Sequence, residues 1–403
     1  MTSRPVAYLF FIATILHGGH TFCPDGFPCT CESRGDMFRA INCIGRGLTT
    51  MPDFSEVDRN ASIQSINLMD NKLTRIPNST FDDLSVFSVI MDNNPIEDIS
   101  PFAFKGVKDL ATLSLSNCTL TSCPVLKSAD MTNLTSLTLS ANKITTIADD
   151  VFADPPPLKL LSLRGNQLKL GNLSENTFAR LGSTLERIDL SGAGLAEIPQ
   201  KLFAPLQKLR VIKLQDNMLG SVDALAAAKY SGEKILKKSS YNFKNNQLNS
   251  ISPKVFLNRP TPTTIDVSNN NLTTLDFLAD YCFFEGAEVV AYGNPINCDC
   301  ALYNVLKAQT LAVLGECASP AEYKSAKLPP VYAEGFFLQA AMATCKGADE
   351  EFRRYDCTCN TWRNFTTFQE ERGKCVTMGS GIVKPSWAFL VNISVIFAMV
   401  LMK

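Results

Sequence analysis

The sequence predicts an α/β solenoid, a curved horseshoe with a parallel β-sheet along its concave face. Three observations predict it. An asparagine slot recurs at Asn71, Asn94, Cys118, Asn142, Asn166, Ala193, Asn217, Asn246, Asn270 and Asn294, in steps of 23, 24, 24, 24, 27, 24, 29, 24 and 24 residues. Before each slot apolar residues alternate with polar ones, as Ile66 and Leu68 do on either side of Asn67. Ten residues after the slot a phenylalanine recurs, at Phe81, Phe104, Phe152, Phe203 and Phe256, with Phe178 displaced by an insertion. A period of this length marks one supersecondary unit stacked on its neighbours.

Each element follows from local chemistry. Alternation at period two makes the segment before each slot a short strand with one face inward. A single repeat cannot bury that face alone, so the strands stack into one parallel sheet. The asparagine stands where the chain turns off the strand. Its amide can satisfy backbone groups that would otherwise be buried without partners. The phenylalanines are expected to stack into a spine on the far side. Strands pack more closely than the bulkier return segments, so the sheet takes the concave face. Two repeats depart from the pattern. The sixth has Ala193 in the slot, which is expected to leave backbone amides there to water. The seventh runs 29 residues without a phenylalanine. Its residues 223–229 read as a short helix on the back, and Lys229, Lys234, Lys237 and Lys238 as a solvated convex face.

The pattern LxxLxLxxNxLxxIPxxxFxxL, complete from Ile63 to Leu84, resembles the extracellular leucine-rich repeat family. The resemblance covers residues 23–345. It implies a cysteine-rich N-terminal cap over 23–62, nine repeats over 63–285, and a last partial repeat with a cysteine-rich C-terminal cap over 286–345. It also implies disulfide-bonded caps, paired Cys23–Cys31, Cys29–Cys43, Cys298–Cys317 and Cys300–Cys345. Zinc is the competing use of a Cys-x-Cys motif, and in a secreted chain the disulfide reading prevails. Cys118 and Cys123 are expected to be buried, either bridged or as two small apolar side chains. Cys282, Cys357, Cys359 and Cys375 allow two further bridges in three ways. Residues 346–381 read as a charged, Cys-bearing stalk.

The ends read as processing signals. Residues 1–22 carry Arg4 and then an apolar run from Val6 to Leu16, too short to span a membrane, which marks a secretory signal. Near the other end Gly379, Ser380 and Gly381 precede residues 382–403, with an apolar run from Trp387 to Met402. Small residues, spacer and apolar tail read as a GPI-attachment signal, with a short transmembrane helix as the alternative. N-glycosylation sequons stand at Asn60, Asn78, Asn117, Asn133, Asn172, Asn271 and Asn364.

Composition narrows the function. Both histidines, His17 and His20, lie at the leader, so no histidine triad or histidine-built zinc site can be assembled inside the fold. No catalytic residue, metal or cofactor is expected. With 38 Lys+Arg against 39 Asp+Glu, no basic excess points to nucleic acid. What remains is a non-enzymatic receptor or adhesion module on the outer face of the plasma membrane, binding an extracellular protein ligand. The alternative is a secreted non-catalytic subunit of an extracellular complex or matrix. The architecture is similar to GPI-anchored members of the family, the Nogo receptor and the variable lymphocyte receptors. Signalling is then expected to call on a transmembrane co-receptor. Strand alternation puts Phe87, Ile90, Arg164, Arg187, Asp189, Arg210 and Lys213 on the concave face as candidate ligand contacts. Phe87 and Ile90 are apolar where solvent is expected, and the charged group suits steering and specificity.

The tail reading predicts that phosphatidylinositol-specific phospholipase C releases the protein from expressing cells. Full retention, with a protease-protected C-terminal fragment, would point to a spanning helix instead.

Overall fold

In the computed structural model the described residues run from Phe22 to Leu328, apart from short internal stretches, together with 353–356 and 361–364. The leader, Asn172, Cys282, Cys345, Cys357, Cys359, Cys375, the lysines from 229 to 238 and the C-terminal tail with Gly379–Gly381 lie outside them. The chain divides into two units, Met1–Lys346 and Gly347–Lys403.

The first unit is the solenoid. It opens with β1 (Thr30–Arg34) and β2 (Phe38–Asn42), and the repeats begin with β3 (Ser62–Asn67), β4 (Arg75–Ile76), β5 (Ser85–Ile90) and β6 (Asp98–Ile99). There follow β7 (Thr112–Ser114), β8 (Ser136–Thr138), β9 (Leu160–Ser162), β10 (Arg187–Asp189), β11 (Val211–Lys213) and β12 (Ser239–Asn242). The array closes with β13 (Pro262–Asp266), β14 (Glu288–Val290), β15 (Ile296–Asn297), β16 (Ala312–Leu314) and β17 (Cys317–Ser319). Thirteen of these form one sheet in the order β1-β2-β3-β5-β7-β8-β9-β10-β11-β12-β13-β14-β16. The β1–β2 pair is antiparallel, and every later pair in this sheet is parallel. In the second unit, β18 (Arg353–Asp356) pairs antiparallel with β19 (Thr361–Asn364).

Register across the sheet places one buried side chain on the next. Ile41, Ile66, Val89, Leu113, Leu137, Leu161, Ile188, Ile212, Tyr241, Ile265, Val289 and Val313 form a single file. None is more than 1% exposed. Burial of each such side chain contributes about 1.5–3 kcal/mol before entropy is counted. A one-residue slip would turn the whole file to solvent, so register is strongly specified.

The asparagine slot pins each turn. Asn94 Nδ2 donates to the carbonyls of Leu68 and Met91, each at 2.9 Å, and its Oδ1 accepts from the Leu73 amide at 3.1 Å. Asn142, Asn217, Asn246, Asn270 and Asn294 repeat this three-way contact. Ala193 corrects an expectation. The Leu168 amide, which an asparagine there would have taken, donates to Ala193's own carbonyl at 2.8 Å. The flanking glycines, with φ of 57° at Gly192 and 73° at Gly194, carry the chain through that turn. Leu163 and Leu190 keep their donors from Asn166 and Asn217, so this turn needs no water. Cys118 fills its slot more weakly, with Sγ 3.7 Å from the Met91 and Ser116 carbonyls.

Behind the sheet the rings stack. Phe54–Phe81 and Phe81–Phe104 centroids lie 5.6 and 5.4 Å apart, and Phe152–Phe178 6.1 Å. Phe54 and Phe277 extend the spine beyond the residues predicted from spacing. In the eighth repeat, Tyr241 points inward from β12 and meets that repeat's own Phe256 edge-on at 5.4 Å. The predicted helix at 223–229 is a 3₁₀ turn over Asp223–Ala227, further 3₁₀ turns stand at Ala179–Leu181 and Pro253–Val255, and so the described return segments are tighter than α-helices.

The caps carry Cys23–Cys31, Cys29–Cys43 and Cys298–Cys317 disulfides. Cys300 is also disulfide-bonded. Of the two readings open for Cys118 and Cys123, the structure shows separate buried thiols. Burial pushes Cys118 up to about 11 and Cys123 to about 12.

Tyr241→Ala should cost about 3–5 kcal/mol, read as a fall in the urea midpoint, because a fully buried ring is lost. Cys118 and Cys123 should resist iodoacetamide in folded protein at pH 8 and react once it unfolds. Because folding raises their pKa values, their effect on stability is neutral below about pH 9, where both states hold the proton. Stability then falls as pH climbs towards 11–12, since only the unfolded thiols ionise in that window.

Candidate functional site: the concave sheet

The apolar file uses the inward residue of each strand pair, so the outward ones need no role in the core. They change character along the sheet. On β5, Phe87 is 48% exposed and Ile90 is half-buried. On β7 and β8 the outward residues are Thr112, Ser114, Ser136 and Thr138. Asp92 ties part of this hydroxyl floor, accepting from Ser114 Oγ at 2.6 Å and the Ser116 amide at 2.7 Å. Beyond it the surface becomes charged.

The structure brings Arg187, Asp189, Arg210 and Lys213 together on β10, β11 and the residue preceding β11. Arg210 Nε donates to Glu186 Oε2 at 3.0 Å, and Lys213 Nζ lies 3.4 Å from Asp189 Oδ2. The Arg210–Glu186 side chains are only 19% and 21% exposed, so water screens them less than the open Arg75–Asp98 pair at 3.6 Å. Arg164 is placed differently from the expectation. It lies past the end of β9 on the turn leaving the sheet, and Ser162 holds the strand position opposite Asp189. Alternation alone does not show where a three-residue strand stops.

One feature of the site was missed in the sequence. The residue before each slot adopts left-handed backbone, from Asp70 (φ 58°) and Asn93 (60°) to Asn245 (54°) and Asn269 (55°). Asp and Asn tolerate this conformation better than other side chains. Along the rim they form two exposed ladders. Asn117 Nδ2 donates to Asn93 Oδ1 at 2.9 Å, and Asn93 Nδ2 to Asp70 Oδ1 at 2.7 Å. Asn269 donates to Asn245 at 2.7 Å, and Asn245 to Asp216 at 2.6 Å. Each ladder ends on an aspartate, which can only accept. The legible signal is the recurring Asp-Asn, Asn-Asn and Gly-Asn dipeptide at the slot.

The five sequon asparagines whose exposure is described, Asn60, Asn78, Asn117, Asn133 and Asn271, are all exposed and all lie off the strands of the concave sheet. Asn364 ends β19. An open cavity of about 460 Å³ lies on the flank, lined by Pro155, Pro156, Pro157, Thr132, Arg180 and neighbouring residues. No cluster able to hold a metal ion occurs among the described residues, and no helix there is long and apolar enough to cross a membrane.

Comparison with known proteins agrees with this geometry. The model of the family "Leucine rich repeat" matches residues 132–184, and "BspA type Leucine rich repeat region (6 copies)" matches 171–289. Human leucine-rich repeats and immunoglobulin-like domains protein 1 is 28% identical over 215 residues, covering 53% of this chain. The chain spans only 18% of that protein's length. Fibromodulin of Oryctolagus cuniculus is 30% identical over 139 residues, which cover 34% of this chain and 90% of fibromodulin. Among solved structures, a chain in the octameric complex of latrophilin 3, Unc5D and FLRT2 (LRR) aligns with a TM-score of 0.55 and 20% identity. That alignment covers 79% of this chain and 100% of the other. With a recurring asparagine turn, a file of apolar strands and disulfide-bonded caps, the chain belongs to the leucine-rich repeat family.

Proposed function

We propose that this protein is a non-enzymatic extracellular recognition module that binds a protein partner on its concave sheet. The observation that carries this reading is Phe87, about half exposed on β5 beside Ile90, where the core needs neither outward position. Exposed aromatic residues flanked by polar groups are the usual anchors of protein interfaces. Charged residues further along the same face supply steering and register. The described solenoid sequons stand off the strands of the sheet, which leaves those strands free of glycan attachment. The two buried thiols, protonated at neutral pH, are poor nucleophiles, which favours binding over catalysis. Presentation outside the cell, through the leader and a lipid anchor, completes the reading, with any signal passed to a transmembrane co-receptor.

The test is mutational. Cross-linking on cells displaying the full chain captures the partner, and biolayer interferometry then compares variants. Phe87→Ala should weaken binding by roughly 1–4 kcal/mol. It should shift stability by about 0.5 kcal/mol or less. Lys254→Glu, on a back turn, should leave affinity unchanged. Loss in the Lys254 variant with none in the Phe87 variant would place recognition on the convex side and overturn the reading.

A further inference from the structure

We propose, resting on the concave-face reading above, that the partner presents an acidic, extended protein segment. It lies across β9 to β11 and leaves the sheet over the rim at Ala141, Gly165 and Gly192.

Charge is the first observation. The outward positions of these three strands, with the residues leading into and out of them, hold Lys159, Arg164, Arg187, Arg210 and Lys213 against Glu186 and Asp189. The whole chain carries 38 Lys+Arg against 39 Asp+Glu, so the excess is local. Arg210 and Lys213 already face the two carboxylates. Lys159, Arg164 and Arg187 are exposed, and among the described residues none of the three has an ion pair. They stand on adjacent repeats, with Arg187 in register with Leu160 and its amide donating to the Lys159 carbonyl at 2.9 Å. Exposed cations without an ion pair favour incoming carboxylates, which add contacts without displacing any.

The rim is the second, independent observation. One amide ladder stops at Asn117, on the turn after β7, and the other at Asp216, on the turn after β11. Between them the rim positions after β8, β9 and β10 are Ala141, Gly165 and Gly192, so no long side chain stands at the edge of two of the three basic strands, while Asp216 stands after β11. Space does not demand glycine there, although the left-handed backbone favours it. Gly165 (φ 68°) and Gly192 (φ 57°) share the left-handed conformation that Asn117 adopts at 53°. A Cβ built on either would come no closer than 3.5 and 3.9 Å to its neighbours. A polypeptide lying on the sheet can leave through this notch without displacing a side chain.

A protein segment fits better than a sulfated glycan. Glu186 and Asp189 sit inside the band, where a uniform polyanion would meet them with repulsion. The hydroxyl floor and Phe87 continue the same face, which offers hydrogen bonds and an apolar contact to a mixed polypeptide.

The experiment pans a random peptide display library on cells bearing the full chain, with heparin as a second probe. Recovered peptides should be rich in Asp and Glu, and their binding should weaken as salt rises. Lys159→Glu with Arg187→Glu should reduce that binding roughly tenfold or more. Gly165→Asn with Gly192→Asn, which keeps every charge, should reduce it comparably while unfolding stays cooperative and the thermal midpoint falls only slightly. No recovery, or peptides without acidic bias, overturns the proposal. If such unbiased peptides are lost in Phe87→Ala, the concave-face reading stands while the acidic segment falls. If they ignore every concave variant, both fall. Heparin binding that needs Lys159 and Arg187, without acidic peptides, assigns the band to a sulfated glycan and overturns the protein segment.

Discussion

A solenoid turns its backbone inside a dry core once per repeat, and each turn presents amides and carbonyls that no strand partner can take. The asparagine slot meets this constraint, and the rest of the structure depends on it. One side chain supplies two donors and one acceptor, and Asn94 reaches Leu68, Met91 and Leu73 at once. An unpaired buried amide or carbonyl costs about 1–3 kcal/mol, so a turn that left several unmet would be untenable. Because the same contact ties consecutive repeats, it also sets the register in which Leu113, Leu137 and Leu161 come into line.

The slot tolerates exceptions because its contacts overlap. Each turn carbonyl can receive an amide from its own repeat and from the next, as Leu139 does from Asn142 and Asn166. Removing one donor leaves the other. The acceptor side has no such overlap, and that is where Ala193 needs a substitute. Its own carbonyl meets the Leu168 amide, in a turn flanked by two glycines. Cys118 differs again, being buried, weakly bonded and apolar in effect.

Much of this was legible in the sequence because period, burial and hydrogen bonding coincide at single residues. Asn71 marks a turn, Ile66 a buried strand position and Phe81 the spine, each by chemistry that only one environment suits. Features that depend on two repeats at once were less legible. The fit of the Tyr241 ring depends on Ile212 and Ile265, its register partners on the strands either side. The rim ladder depends on Asn93 meeting Asp70, which lie 23 residues apart. Arg164 obeys the alternation, yet stands past the last strand residue, because a rule of period two contains no length. Within the candidate site, sequence placed Phe87 and the Arg187–Lys213 group on one face. It did not reveal that Arg210 and Lys213 are already paired with carboxylates, nor that Arg187 is not.

That last distinction separates stability from recognition on a surface where both use charge. A half-buried pair such as Arg210–Glu186 joins neighbouring repeats and has lost part of its water, so its charges are partly satisfied before any partner arrives. An exposed cation such as Arg187 keeps its hydration and contributes little to the fold. A ligand that meets only paired charges must displace existing contacts, whereas one that meets Lys159 and Arg187 adds new ones. The side chains most useful for binding are therefore those the fold leaves unused. In this array they fall where the rim ladders also break, so charge and access coincide on β9 and β10.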